Sequence, residues 1–334
     1  MKHTATRRRQ RGVALIIALV LMALATILAV KIGFGGFIER KRTTTMLAAE
    51  QAFQFAMGAE ALAADVLTRQ PQTSASQVTL ADAWAQAPQP IPLRPPNDPE
   101  GEPMGTLEGH LEDETGRFNI NTLLRVDSTG KPDPVPLEQF QALLESLDID
   151  PKWAPKALDW IDNDSAETFP DGAEDSVYTS QDPPYLTGNW GMMSTTELMS
   201  LPGFGAENYQ KLAPYITALP TTETHINVCT APGFVLDMLT GLNEYRSNPP
   251  ALISGRKAGC FPTPAVLTAS VSLTLATKIT PFLSTNSDYF RLTTLVTLGS
   301  TEFTLYSLLS RGSSTGGGGA GGRFTPILRS FGTK

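Results

Sequence analysis

Residues 13–30, VALIIALVLMALATILAV, form an 18-residue apolar run whose single polar member is Thr26. A helix of that length and purity spans the hydrocarbon of a bilayer, so this stretch constrains the fold more than any other. A secretory signal is the alternative, but its apolar region is about 7–15 residues long and ends at a small-residue cleavage site. Here apolar character runs on through Lys31 to Ile38, which predicts a retained span over 13–38. Residues 1–12 carry Lys2, Arg7, Arg8, Arg9 and Arg11 and no acid, whereas the 334-residue chain has a net charge of −7. A basic tip therefore precedes an acidic body, and bulk charge excludes general nucleic-acid binding. The positive-inside bias holds the tip in the cytoplasm, although Lys31, Arg40, Lys41 and Arg42 beyond the span blunt it.

Helical spacing continues past the span. Ala48, Ala52, Phe55, Ala59, Leu62 and Val66 recur at steps of four and three, with Glu50, Gln51, Gln54, Glu60 and Asp65 on other sides. No proline interrupts residues 13–70, so one helix to about Arg69 is expected, roughly 85 Å long. Gly33, Gly35 and Gly36 are its candidate bend points. A basic leader ending in Gly12, an apolar helix opening at Val13 and an amphipathic extension together resemble the type IV pilin-like family. That resemblance implies cleavage after Gly12 by a prepilin peptidase and methylation of the new N-terminus, Val13. Family members usually carry Glu as the fifth mature residue, where this chain has Ile17. The K class of minor pseudopilins in type II secretion is the class known to lack it. In the family the glutamate is thought to neutralise the amine of the subunit above. A tip subunit has no such neighbour, and an unpaired charge in lipid is costly.

The rest reads as α+β: a long N-terminal transmembrane and amphipathic helix packed on a small antiparallel sheet, with a large all-α insertion. Residues 70–104 hold eight prolines and read as an extended connection. Gly105–Leu111 and Arg117–Asn121 read as short strands about the turn 112–116. Phe118-Asn119-Ile120-Asn121-Thr122 is echoed by Ile226-Asn227-Val228-Cys229-Thr230, and the two copies bracket an insertion. The expected organisation is a leader (1–12), a span (13–38), a helical continuation (39–69), a pilin-like α/β domain in two pieces (70–121 and 225–334) and an inserted helical domain (122–224). Helices are predicted over Leu137–Leu147, Trp153–Ile161, Thr195–Leu201, Ala206–Ala218 and Gly233–Tyr245. From Ala265 the pattern turns to alternation, with a hairpin of Tyr289–Leu298 and Glu302–Ser310. A glycine-rich loop fills 312–322, and Phe324–Leu328 returns as a strand that Pro326 confines to an edge.

Between Asp159 and Asp175 lie seven carboxylates, and from Ala157 to Gln210 there is no Lys, Arg or His. Folded together, such charges need neutralising. Asp159, Asp162, Asp164, Asp171, Glu174 and Asp175 are candidate ligands for calcium, which takes six to eight oxygens, in preference to magnesium, which keeps more of its waters. It is not an EF-hand: counted from Asp162, the required glycine falls on Glu167. A solvated acidic loop is the plain alternative. Trp160, Ile161, Phe169, Val177 and Tyr178 argue instead for partial burial, where unpaired charge is costly. Asp159-Trp160-Ile161-Asp162 followed by Gly172-Ala173-Glu174, and Gly116-Arg117-Phe118-Asn119-Ile120-Asn121, are similar to K-class signatures. That resemblance spans most of residues 8–245 and implies a helical insertion with bound structural calcium.

Leu201-Pro202-Gly203-Phe204-Gly205 resembles a helix-hairpin-helix turn, but Lys211 is its only nearby cation, so a structural turn is expected rather than phosphate binding. Nothing distinguishes an acid from a nucleophile among the clustered carboxylates, and His3, His110 and His225 are scattered. Cys229 and Cys260 are placed to form one disulfide if the compartment is oxidising, and otherwise are two buried thiols. The expected protein is a non-enzymatic tip subunit that starts or caps the type II secretion pseudopilus. It would be a single-pass protein of the bacterial inner membrane, with its N-terminus cytoplasmic and its C-terminal domain periplasmic. Its expected partners are other minor pseudopilins, prepilin peptidase, the inner-membrane secretion platform and exported proteins, but not nucleic acid. A membrane-anchored calcium-dependent hydrolase and a DNA-uptake pilin-like protein are the alternatives.

Overall fold

The computed structural model describes residues 11–69, 77–86, 89–95, 97–246, 249–312 and 322–331. Most of the basic leader with His3, the start of the proline-rich connection and the body of the glycine-rich loop lie outside them. The chain begins with α1 (Arg11–Thr68), 58 residues long, then β1 (Ile91–Leu93), β2 (Gly105–Asp113) and β3 (Phe118–Asn119). A helical stretch follows: α2 (Pro134–Ser146), α3 (Trp153–Ile161), α4 (Asp175–Tyr178) and α5 (Gly205–Leu212), closed by β4 (Ile216–Thr217). Then come β5 (Ile226–Asn227), α6 (Gly233–Thr240), α7 (Pro250–Lys257), α8 (Pro264–Ala269), α9 (Leu273–Ile279) and β6 (Leu283–Ser284). The chain closes with β7 (Tyr289–Leu298), β8 (Thr301–Arg311) and β9 (Phe324–Phe331).

The fold is α+β. Five antiparallel strands run in the order β1-β2-β7-β8-β9, and the distal part of α1 packs across one face. Strand β7 shows why: Phe290, Leu292, Thr294, Val296 and Leu298 are buried while their neighbours are half-exposed, the period-2 signature of a sheet covered on one side. Ala52, Ala56, Ala63, Ala64 and Leu67 of α1 meet that face, and the alanines let helix and sheet approach closely. The buried stripe is rotated from the one the sequence predicts. Leu62 and Val66 are exposed, and Glu60 lies on the buried face. Its carboxylate takes bonds of 2.8 Å from both Nε and Nη2 of Arg329 and 2.6 Å from Ser307 Oγ. The sequence pattern places Glu60 on the surface because its partners arrive only with β8 and β9.

The β7–β8 hairpin turns through Gly299-Ser300, with Gly299 at φ 58°, which favours glycine. Strand β9 is an edge strand, as Pro326 requires, and extends to Phe331, past the predicted Leu328. The ladder slips between Leu308 and Leu309 beside that proline.

A separate cluster runs from Phe118 through Leu212 and continues from Ile226 to Leu267, so α6, α7 and α8 share a core with α2, α3 and α5. Several predicted elements end early. Arg117–Asn121 reduces to a two-residue strand, because a 3₁₀ turn over Ile120–Leu124 takes over the backbone. The helix predicted to Ala218 stops at Leu212, and Pro214 opens a 3₁₀ turn leading into β4. That predicted to Tyr245 stops at Thr240, with Gly241 at φ 69° as a left-handed cap. The alternation predicted from Ala265 is overturned up to Ile279 by α8 and α9, whose N-caps Thr263 and Ser272 accept from Val266 and Leu275 amides.

The sequence echo has a structural counterpart. β3 pairs parallel with β4, and β5 pairs parallel with β6. In each copy the asparagine Oδ1 accepts from the amide two residues on, Asn121 or Cys229. Each asparagine Nδ2 then reaches a distant carbonyl, that of Thr221 from Asn119 and that of Val78 from Asn227. The Asn119 amide thus ties the two ends of the helical stretch to each other, and the Asn227 amide fastens the chain after it to Val78.

Candidate functional site

Helix α3 is amphipathic, with Trp153, Ala154, Ala157, Trp160 and Ile161 in the core. That packing buries Asp159 completely in the last turn. Its carboxylate is met by backbone amides: Thr168 N at 3.2 and 3.1 Å, and Ala173 N at 2.7 Å. Asp159 therefore bends residues 162–173 into a loop and carries no donor debt of its own. Gly172 permits this fold, because a Cβ there would collide with the Asp159 carboxylate and the Thr168 backbone.

The loop brings Asp162, Asp164 and Glu174 together, with one carboxylate oxygen from each lying within 4.8 Å of the others. Asp162 is half-buried, Asp164 exposed and Glu174 6% exposed. Asp162 Oδ1 and Glu174 Oε1 are buried without a hydrogen-bond partner among the described residues. Burial first, then Asp164 and Asp159, push the Asp162 carboxyl up to about 6. Burial first, then Asp159, Asp162, Asp164 and Asp175, push Glu174 up to about 7. Such a cluster asks for a cation. Its all-oxygen donors and two orphaned buried oxygens fit a hard divalent cation such as calcium, whose remaining ligands would have to be carbonyls and water.

The other three predicted ligands are placed elsewhere. Asp159 holds the loop through amides, and Asp171 is exposed. Asp175 Oδ1 accepts from Thr187 N at 3.0 Å and Thr187 Oγ1 at 2.7 Å, tying the following loop to α4. These bonds, the Thr187 amide first, hold its carboxyl below the usual range. Behind the cluster stands an aromatic wall, with Tyr178 5.1 Å from Trp160 and 5.5 Å from Tyr185 between ring centroids.

Cys229 and Cys260 form a disulfide. No sequence pattern pointed to its neighbour Arg256, a buried guanidinium that donates to the carbonyls of Val228, Ala231 and Phe261. Asp113 was equally hidden: half-buried, it accepts from Thr230, Ser287, Asn227 and the Thr115 amide. In each case most of the partners lie more than twenty residues away, Val228 and Ala231 for Arg256, and Asn227, Thr230 and Ser287 for Asp113. The glycine turn at 203–205 is structural. Gly203 and Gly205 adopt φ of 88° and 76°, Phe204 packs edge-on to Trp153 at 5.4 Å, and Lys211 pairs with Glu207 at 3.0 Å.

At the other end of the chain, Gly12 lies in the first turn of α1 and Val13 is exposed beside it. Among the described residues α1 is the one helix long and apolar enough to cross a membrane. Its most apolar window has a mean hydropathy of 3.1 and no buried residue.

The family model of type II secretion system (T2SS), protein K, matches residues 116–221, the region holding the acidic loop. Type II secretion system protein K of Aeromonas hydrophila is 31% identical over 91% of this chain and 94% of its own length. That of Klebsiella pneumoniae is 32% identical over 92% and 95%. A membrane-length helix laid on an antiparallel sheet, with these relatives, defines a minor pseudopilin of the type II secretion system. A chain in the crystal structure of the GspK-GspI-GspJ complex from enterotoxigenic Escherichia coli superposes with a TM-score of 0.73 and 26% identity, covering 88% of this chain and 100% of that one. Within that class, the chain belongs to the type II secretion system protein K family.

Proposed function

We propose that this subunit sits at the tip of the type II secretion pseudopilus, where it starts or caps the fibre with other minor pseudopilins. The observation that carries this reading is the likeness to a chain solved in complex with two further subunits, GspI and GspJ. Subunits of those kinds are its proposed partners, together with the inner-membrane secretion platform and possible exported proteins. The exposed apolar part of α1 would anchor the chain once across the bacterial inner membrane, with the leader cytoplasmic and the body periplasmic. Prepilin peptidase would cleave after Gly12, and Val13 would be methylated. The work is assembly rather than catalysis. Residues 122–224 are the inserted stretch of this proposal, and together with α6 to α8, which share their core, their bulk beside the sheet would block addition of a further subunit above.

Calcium held by Asp162, Asp164 and Glu174 would stiffen this unit by neutralising carboxylates that otherwise repel. The test of the tip reading is deletion and complementation in the native host, counting fibres and secreted protein. Unchanged fibre initiation and secretion without the gene would refute it. Processing is checked by intact mass and N-terminal peptide mapping of protein extracted from the native membrane. The expected chain starts at methylated Val13, and an intact Met1 start would remove the pilin-type route.

A further inference from the structure

Beyond the apolar run, α1 carries Lys31, Arg40, Lys41 and Arg42. All four are exposed, and among the described residues none makes an ion pair. Glu39 beside them is unpaired as well, and the hydroxyls of Thr43 and Thr44 bond back to the helix at Glu39, Arg40 and Lys41 carbonyls. The first fully buried residue of α1 is Ala52. About 15 Å of helix therefore separates Arg42 from the body.

Helix rise places these cations. At 1.5 Å per residue, Lys31 lies about 27 Å from Val13, and Arg40 to Arg42 lie about 40–44 Å from it. Bilayer hydrocarbon is about 30 Å thick, and the bilayer with its headgroups about 40–45 Å. With Val13 at the inner hydrocarbon boundary, Lys31 meets the outer hydrocarbon boundary and the backbone of Arg40 to Arg42 lies a few ångströms outside the outer headgroups, within reach of long cationic side chains that fold back to them. An average tilt of about 20° shortens these spans by only a few ångströms. Successive helical residues are about 100° apart, so Arg40, Lys41 and Arg42 project to three sides of the helix. Lys31, eleven residues before Arg42, falls on nearly the same side as it. A partner helix would need cations on one face, whereas lipid headgroups surround a lone helix.

We propose that Lys31, Arg40, Lys41 and Arg42 form a collar that binds the phosphates of anionic phospholipids in the leaflet facing the folded body, and so sets the depth of α1. This rests on the membrane-spanning part of the function proposed above. Each such cation near an anionic surface changes binding by about fivefold, and the effect falls with salt.

The test uses the full mature chain in nanodiscs of phosphatidylcholine with and without phosphatidylglycerol. Native mass spectrometry counts the lipids retained by the wild type and by the Arg40→Gln/Lys41→Gln/Arg42→Gln variant. A spin label at Leu21→Cys reports on the span. The expected result is a Leu21 label shielded from water in both proteins and a phosphatidylglycerol preference in the wild type that the triple variant loses. A shielded label with equal lipid retention in the two proteins overturns the collar while leaving the span standing. A water-exposed Leu21 label overturns the span and the collar with it. Displacement of the bound lipid by inorganic phosphate would make the cluster a general anion site and overturn the lipid assignment.

Discussion

Single carboxylates in this protein have opposite surroundings, and their partners decide what each does. Asp159, Asp113 and Asp237 form no salt bridge among the described residues, and hydrogen-bond donors solvate them; Asp237, for example, takes the amides of Glu244, Tyr245 and Arg246. Glu174 and Asp162 each retain an orphaned oxygen. Chelation should therefore lower the thermal midpoint of the protein, and calcium should restore it. At about 100-fold excess over its dissociation constant, calcium adds about 2.7 kcal/mol. In Glu174→Gln most of that response should vanish; scanning calorimetry with and without calcium reads it, and an unchanged response would remove Glu174 from the site. Glu60 is the reverse case. Burial raises its pKa, but bonds from Arg329 and Ser307 outweigh that and hold it below the ordinary value. Its stabilising contribution is present above the unfolded pKa of about 4.3 and is lost as pH falls through the folded value. Glu60→Gln should flatten the acid limb of the stability profile. Glu60→Ala should cost about 1.5–3 kcal/mol by removing its charge-assisted bonds to Arg329 and Ser307, measured by urea unfolding at neutral pH.

Among the elements, those whose pattern is local were legible in the sequence. Trp153–Ile161 is a helix at its predicted bounds, and Tyr289–Leu298 alternates as a one-sided strand must. The acidic loop was legible as a unit, yet not its division of labour. Which of Asp159, Asp162 and Glu174 keeps a free oxygen depends on where the Thr168 and Ala173 amides point after the chain turns at Gly172. Helices α8 and α9 were misread because runs such as Ala265-Val266-Leu267 and Leu273-Thr274-Leu275 satisfy both periods. Their caps Thr263 and Ser272 settle the choice. The disulfide joins the end of β5 to the segment after α7, with a sequence separation of 31. Loop-closure entropy makes such a link worth about 3–4 kcal/mol. Reduction, or a Cys229→Ala/Cys260→Ala pair, should lower the unfolding midpoint accordingly. An unaltered midpoint would show that Arg256 and its three carbonyl bonds hold the region alone.

Across the whole molecule, apolar packing falls into two kinds. Two clusters fasten α1 to the sheet, and a third builds the helical body. Polar bonds close the body on itself through Asn119 and Asn121, and join it to the sheet through Asn227 with Asp113 and Ser287. Amide bonds fix geometry more than they add stability. Asn227→Ala should therefore loosen the setting of the body on the sheet, seen as faster hydrogen exchange around Val78, Asp113 and Ser287. Exchange within α2 and α3 should stay unchanged, and equal acceleration there would show that the two bodies unfold as one.

The bond from Glu60 to Arg329 joins residues 269 positions apart. The carboxylate sits on α1 and the guanidinium on the edge strand β9. Helix and sheet share apolar contacts through β7 and β8, yet the buried acid has no counter-charge until β9 takes its place. The edge strand therefore acts as a latch, and a chain lacking β9 would keep the helix against the sheet with its only buried acid unanswered.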